Sequence, residues 1–287
     1  MLLLTIFTPV YNRAYLITKL YDSLCQQSCC DFEWIIVDDG STDDIESKTN
    51  EFIAEAKINI RFFKQPNGGK HRAINRGVRE ARGEFFFIVD SDDYLTDDAV
   101  KWVKNTDELI RFNNDFAGLS GIRVSSSGNK IGGGNDFGNI DANAIDIRLR
   151  HGVVGDLAEV FKTDILRQYP FPEFEDEKFC PEALVWHRIA RHYKMRYCHK
   201  GIYVGEYLDD GLTAKIVQLR RSSPRASMLY YSEHFHDSIP IVWKAKAAIN
   251  FWRFQLVPYC KKYKMLSPLS LMAWFPGKMI ALMETRR

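Results

Sequence analysis

Four times in the first hundred residues a short apolar run gives way to polar or acidic residues and then to apolar positions spaced for a helix. Leu2 to Thr8 stops at Pro9, and Leu16, Leu20 and Leu24, joined by Ile17 and Tyr21, follow on one helical face. Phe32 to Val37 ends in Asp38-Asp39-Gly40-Ser41-Thr42-Asp43, where Ser41, Thr42 and Asp43 are all good N-caps for a helix running to about Ala56. Ile58 to Lys64 alternates Ile58, Ile60 and Phe62 inward, and the loop from Gln65 to Lys70 leads into a helix marked by Ala73, Ile74, Val78 and Ala81. The fourth run, Gly83 to Val89, is followed by Thr96, expected to cap a helix with Asp97 and Asp98 in its first turn. This alternation predicts an α/β fold, a mostly parallel sheet with helices on both faces. Ligands of such sheets bind outside the carboxyl ends of the strands. Pro9-Val10-Tyr11-Asn12, Asp38-Asp39-Gly40 and Asp90-Ser91-Asp92-Asp93 should therefore face one cleft.

The last of these ends carries three carboxylates in four positions. Carboxylates so close repel unless a cation sits among them, and Mg²⁺ or Mn²⁺ takes oxygen ligands, typically one or two carboxylates together with substrate phosphates. The expectation is a strand-end metal site that receives a phosphorylated ligand, against the plainer reading of a solvated acidic turn.

Beyond residue 115, Phe116 to Val124 reads as another strand and Leu157 to Phe161 as a further one. The polar, glycine-rich stretch from Ser125 to Asn135 loses all periodicity, as a flexible loop or loose hairpin, either a lid or plain surface. Pro181 opens a helix with Glu182 in its first turn and Leu184, Val185, Ile189 and Ala190 on one face, while Glu173 to Lys178, including Glu175 and Asp176, reads as a solvated charged loop.

Hydrophobic content of 46% and charged content of 26% exclude disorder as the default for these 287 residues. The net charge of +2 is unevenly spread, since residues 240–287 hold nine Lys or Arg against the single acid Glu284 and the preceding chain is net negative. The six cysteines lack paired Cys-x-x-Cys spacing, and the seven histidines, among them His71, His187, His192, His199, His234 and His236, lack zinc spacing. With no apolar run of the ~18 residues a span requires and no signal-peptide pattern at Met1 to Phe7, a reduced, cytoplasmic setting is expected.

Taken together, Thr8-Pro9-Val10-Tyr11-Asn12-Arg13, Ile35 to Asp43, Asn67-x-Gly-Lys70 with Ala73-Ile74-Asn75, and Gly83-Glu84 to Asp93 resemble family 2 glycosyltransferases, including bacterial envelope-polysaccharide enzymes. The order and spacing agree over about residues 3 to 100, with weaker similarity to about residue 213. The resemblance implies a GT-A fold (Rossmann-like) and an inverting, metal-dependent hexosyltransferase-like enzyme. It would move a sugar from a nucleotide-diphospho-sugar, a UDP-sugar in most relatives, to a saccharide or lipid-linked acceptor. Residues 1–213 would be the catalytic domain, with a nucleotide-sugar half at 1–115 and an acceptor half at 116–213, and residues 214–287 a helical C-terminal extension.

By the same resemblance, Pro9, Tyr11 and Asp39 hold the nucleobase, with Asn12 and Ser91 taken alongside them in the donor site. An aromatic ring can stack on a base and a carboxylate can accept its imide hydrogen. Lys70 and Arg72 lie where relatives place basic groups near the donor. Asp92 matches the metal ligand of the family's Asp-x-Asp pair, Asp90 faces the ribose and reaches the metal through water, and Asp93 contacts the donor sugar. The cofactor would be Mn²⁺ or Mg²⁺. Inverting transfer needs one base for the acceptor hydroxyl. The family places it in a Glu-Asp pair opening a late helix, and here that pair is Glu182-Ala183. Glu182 is the candidate and Asp156 the runner-up, while the departure at Ala183 keeps open a nucleotide-sugar-binding protein without catalysis. A signalling receiver domain, suggested by Val37-Asp38-Asp39, is discounted because Ile58 to Lys64 ends without a phospho-acceptor acid.

The basic tail is also aromatic, with Trp243, Phe251, Trp252, Phe254, Tyr259, Tyr263, Trp274 and Phe275. That mixture fits helices lying on an anionic membrane, peripherally on the inner face of the cytoplasmic membrane, with packing within the protein as the alternative. An acidic main domain makes nucleic acid a poor partner.

Overall fold

The computed structural model describes residues 2–108, 110–134, 136–205, 215–256 and 263–285. The expected 213/214 boundary and Tyr259, Lys261, Lys262, Arg286 and Arg287 of the tail lie outside them. The chain divides into two compact units, Met1–Pro170 with Arg188–Leu208, and Phe171–His187 with Asp209–Arg287.

The first unit follows the alternation read above: β1 (Leu2–Val10), α1 (Ile17–Cys25), β2 (Phe32–Asp38), α2 (Ile45–Glu55), β3 (Ile60–Lys64), α3 (Lys70–Glu80), β4 (Gly83–Ile88), β5 (Tyr94–Leu95) and α4 (Ala99–Asp107). Then come β6 (Phe116–Val124), β7 (Ile140–Ala142), α5 (Asp146–Leu149), β8 (Leu157–Lys162) and α6 (Thr163–Gln168). After α7 (Glu182–Ala190), which spans the division between the units, β9 (Lys194–Val204) completes the sheet. Strand order is β3-β2-β1-β4-β8-β6-β9-β5, with β7 on β9.

Both faces of the central strands are buried, which is why they read as continuous apolar runs. Leu4, Ile6, Trp34, Ile36, Phe85 and Phe87 join Leu20, Tyr21, Phe52 and Val103 of the helices in one core cluster. On the opposite face Phe7 stacks on Phe86 at 5.2 Å. A Cβ on Gly77 of α3 would lie 2.3 Å from the Phe7 ring, so only glycine lets the helix approach. At the strand starts, fully buried Glu33 accepts from Thr5 Oγ1 (2.8 Å), the Arg82 backbone N–H (2.7 Å) and Arg61 (3.1 Å).

Three expectations need correction. The sheet is parallel through β3-β2-β1-β4, but β8 enters between β4 and β6 antiparallel to both, making the whole sheet mixed. Ser41, Thr42 and Asp43 do not cap α2, whose N-cap is Asp44, because they are engaged with the loop after β1. Thr96 and Asp97 stand outside α4, and the Thr96 hydroxyl donates instead to Asp98 at 2.8 Å.

The second unit holds the segment 171–187 and α8 (Ile216–Ser222), α9 (Pro224–His236), α10 (Ile241–Arg253), α11 (Pro268–Met272) and α12 (Trp274–Thr285). Here the segment expected to be a solvated loop is anchored. Glu177 is buried and its carboxylate accepts from the backbone N–H groups of Arg225 (2.6 Å) and Ala226 (2.8 Å), donors left over at the start of α9. Phe251, Trp252, Phe254 and Tyr263 are buried, three of them in a core cluster with Met228, Ala248 and Met265, so much of the tail's aromatic content packs inside this unit. Among the described residues, no helix is long and apolar enough to cross a membrane.

Candidate active site

Parallel pairing of β1 with β2 and β4 brings the three polar strand ends side by side. The first two are stitched together. Asn12 takes the left-handed conformation (φ 53°), its backbone N–H donates to Ser41 Oγ at 2.9 Å, and its side-chain oxygen accepts from the Thr42 N–H at 2.8 Å. The Ala14 N–H donates to Asp43 at 2.8 Å. Pro9 is half-buried within β1, and the Tyr11 ring beyond it is 50% exposed, leaving a face open for stacking.

Asp39 is buried and accepts four hydrogen bonds. Gln65 Nε2 (2.8 Å) and the Gly68 N–H (3.0 Å) reach one oxygen, and the Gly69 N–H (2.7 Å) and Asn67 Nδ2 (3.2 Å) reach the other. These fill the lone pairs of the carboxylate. Asp39 thus shapes the Gln65–Gly69 loop, and a nucleobase imide would have to displace one of the side-chain donors. The same loop passes so close to Gly40 (φ +80°) that a Cβ there would lie 2.7 Å from the Asn67 nitrogen.

That loop delivers α3, at whose start Lys70 Nζ meets Asp90 Oδ1 at 2.6 Å. Arg72 lies in the same first turn, its side chain covering Gly68 closely enough that a Cβ there would be 2.5 Å from its Cδ. Beyond β4 the chain turns tightly, the Asp93 N–H donating to the Asp90 carbonyl at 3.2 Å with Ser91 buried inside the turn.

Two residues that the sequence reading missed complete this cluster. The Tyr203 hydroxyl, from β9, accepts from the Asp90 backbone N–H (3.0 Å) and donates to Asp93 Oδ2 (2.6 Å). Arg123, from β6, lies 4.0 Å over the Tyr203 ring and 3.5 Å from the Asp93 carboxylate. A lone arginine inside the apolar run Phe116 to Val124 was the available signal; for Tyr203, near the end of the distant strand β9, there was none.

The three acids respond differently to this setting. Burial works against ionisation of Asp90, but the charges of Lys70 and Arg123 outweigh it and hold its carboxyl below the usual carboxylate range. Asp92 is pushed up by burial and then by the Asp90 charge, with Arg13 and Lys70 opposing. Asp93 is pushed up to about 7 by burial and by Asp90, against the Tyr203 hydrogen bond and the Arg123 charge. The result is an all-oxygen donor set whose charge is incompletely balanced by protein groups, the chemistry that suits a hard divalent cation.

Of the candidate bases, Asp156 is exposed just before β8, within the electrostatic reach of Arg123. Glu182 is half-buried in the first turn of α7 and belongs to the second unit.

Residues 5–142 match the glycosyl transferase family 2 profile. The chain is 35% identical over 124 residues to the glycosyltransferase EpsJ of Bacillus subtilis, covering 43% of this chain and 35% of that protein. It is 38% identical over 99 residues to a chondroitin synthase of Pasteurella multocida (34% and 10%) and 38% identical over 112 residues to a teichoic acid poly(glycerol phosphate) polymerase of Staphylococcus epidermidis (37% and 16%). It therefore spans about a third or less of these relatives. Among solved structures, residues 1–349 of S. aureus TarS with UDP-GlcNAc superimpose with a TM-score of 0.65 at 19% identity, over 96% of this chain and 79% of that one. A Pyrobaculum calidifontis mannosyltransferase with GDP-Man and Mn²⁺ gives 0.57 at 17%, over 98% and 87%. Both likenesses concern the fold.

Proposed function

Residues 5–142 are a domain of glycosyl transferase family 2, and from that premise we propose that the protein is an inverting, metal-dependent transferase that moves a sugar from a UDP-sugar to a saccharide or lipid-linked acceptor. Relatives named for chondroitin and teichoic acid synthesis support a role in surface-polysaccharide assembly. The observation that carries the reading is the Lys70–Asp90–Asp92–Asp93–Tyr203–Arg123 cluster at the carboxyl ends of the strands.

Asp92, with Asp90, would hold Mn²⁺ or Mg²⁺, which when bound supplies Lewis-acid neutralisation of the nucleoside diphosphate leaving group. Lys70 holds Asp90 ionised and oriented toward the ribose. Tyr203 and Arg123 orient Asp93 for the donor sugar, and Tyr11, with Pro9, Asn12, Ser91 and Arg72 around the donor, offers its open ring to the base. Glu182, or else Asp156, takes the proton of the acceptor hydroxyl.

The exposed apolar positions Leu271, Met272, Phe275, Met279, Leu282 and Met283 of α11 and α12 support peripheral attachment of the second unit to the anionic inner face of the cytoplasmic membrane. The test of the enzymatic reading is donor hydrolysis across a panel of UDP-sugars with Mn²⁺. Turnover that disappears with chelator and in Asp92→Asn supports it, and turnover indifferent to both refutes it.

A further inference from the structure

The second unit gathers a set of metal-ligating side chains that its sequence spacing conceals. His187 stands in α7 and His234 in the last turn of α9, and Asp237 follows as the cap residue of that helix. His234 Nδ1 lies 3.2 Å and His187 Nδ1 3.5 Å from the same oxygen, Asp237 Oδ2, and one ligand atom from each of the three residues lies within 4.8 Å of the others. The neighbouring His236 is turned away, its Nδ1 against the Ser232 carbonyl at 2.7 Å.

These distances have a chemical reading. Two ligand atoms bound at ~2.0–2.1 Å to a tetrahedral ion are separated by roughly 3.3–3.4 Å, the spacing from the carboxylate oxygen to each imidazole. The Asp237 side chain is 1% exposed while the His187 and His234 side chains are 16% and 14% exposed, so a buried anionic ligand sits behind two imidazoles that solvent can reach. The Tyr230 ring stacks parallel to His234 at 5.8 Å and fixes its plane. Two imidazoles and one carboxylate select an ion of the zinc class over the oxygen-preferring Mg²⁺ or Mn²⁺.

We propose that His187, His234 and Asp237 bind one zinc-class divalent ion. The site ties α7 to the far end of α9, the helix whose start Glu177 already holds, so that the segment 171–187 clamps α9 at both ends. With three protein ligands, the fourth position is left for water or an external ligand.

The test uses the full-length Asp92→Asn protein, stripped of metal and without nucleotide, so that the strand-end acids are weakened as a competing site. Titration with Zn²⁺ should show one site whose affinity falls by about tenfold or more in His187→Asn and in His234→Gln. Co²⁺ in place of zinc should give the intense visible absorption of a four-coordinate centre, lost in either variant. Should a histidine variant fail to fold, the Asp92→Asn protein with both histidines intact decides the matter, because Zn²⁺ but not Mg²⁺ should raise its thermal midpoint. An unchanged midpoint, or equal zinc affinity with and without the histidines, overturns the proposal.

Discussion

Replacing Asp93 with Asn isolates the electrostatic cost of the acid cluster. The carboxyl is 6% exposed and titrates at about 7 in the folded chain, whereas an unfolded aspartate titrates near 3.9. Between those values the unfolded state gives up the proton and the native state keeps it, so rising pH favours unfolding. The native-state contribution is intact below about pH 3.9 and is lost progressively up to about pH 7, and the loss amounts to roughly 4 kcal/mol by pH 8 in the absence of a cation. Asn keeps the shape of the protonated acid and cannot ionise. Urea unfolding in chelator at pH 5, 6, 7 and 8, followed by far-UV circular dichroism, should therefore show a variant whose advantage over the parent grows with pH and then levels off. Hydrogen exchange of the β4 amides assigns the transition to the first unit. The slope is the informative quantity, because a constant offset also contains the altered hydrogen bond from Tyr203. A stability difference that does not change across this range refutes the reasoning.

Further perturbations address the rest of the site and its support. Asp39→Asn turns an amide donor toward donors of the Gln65–Gly69 loop and should cost roughly 2–4 kcal/mol; an unchanged thermal midpoint would show that this carboxylate does not hold the loop. Glu33→Ala leaves Arg61, which also donates to the Glu80 carbonyl, without its buried partner, and a loss of about 3–5 kcal/mol is expected in denaturant melts, far from any effect on donor binding. Glu182→Gln and Asp156→Asn should separate the candidate bases. The base should lose about a hundredfold or more in kcat with donor KM retained, and full turnover in both variants would place it elsewhere.

Local pattern carried far in the first hundred residues because β1, β2 and β4 are buried on both faces and their polar ends are contiguous in sequence. Phe85 to Val89 followed by Asp90, Asp92 and Asp93 states both the strand and the chemistry at its end. The helix starts were less legible. Ser41, Thr42 and Asp43 have ideal capping side chains, but Ser41 and Asp43 accept backbone donors from the loop after β1 and Thr42 donates to the Asn12 side-chain oxygen, so tertiary hydrogen bonds replaced the local ones. Glu177 looked solvated because its neighbours are charged, although it satisfies the start of a helix 47 residues further on, at Pro224.

By itself, then, the sequence determined the alternating architecture, the strand-end acids and their need for a counter-charge, since each depends on residues a few positions apart. Only the tertiary structure decided what surrounds them: that Asp39 is saturated by a loop, that Arg123 and Tyr203 arrive from β6 and β9 to orient Asp93 and to offset part of the rise that burial and Asp90 impose on it, and that His187 meets His234 across Asp237. Those contacts join residues separated by tens of positions, and their energies arise from burial and charge at distances that exist only once the chain has folded.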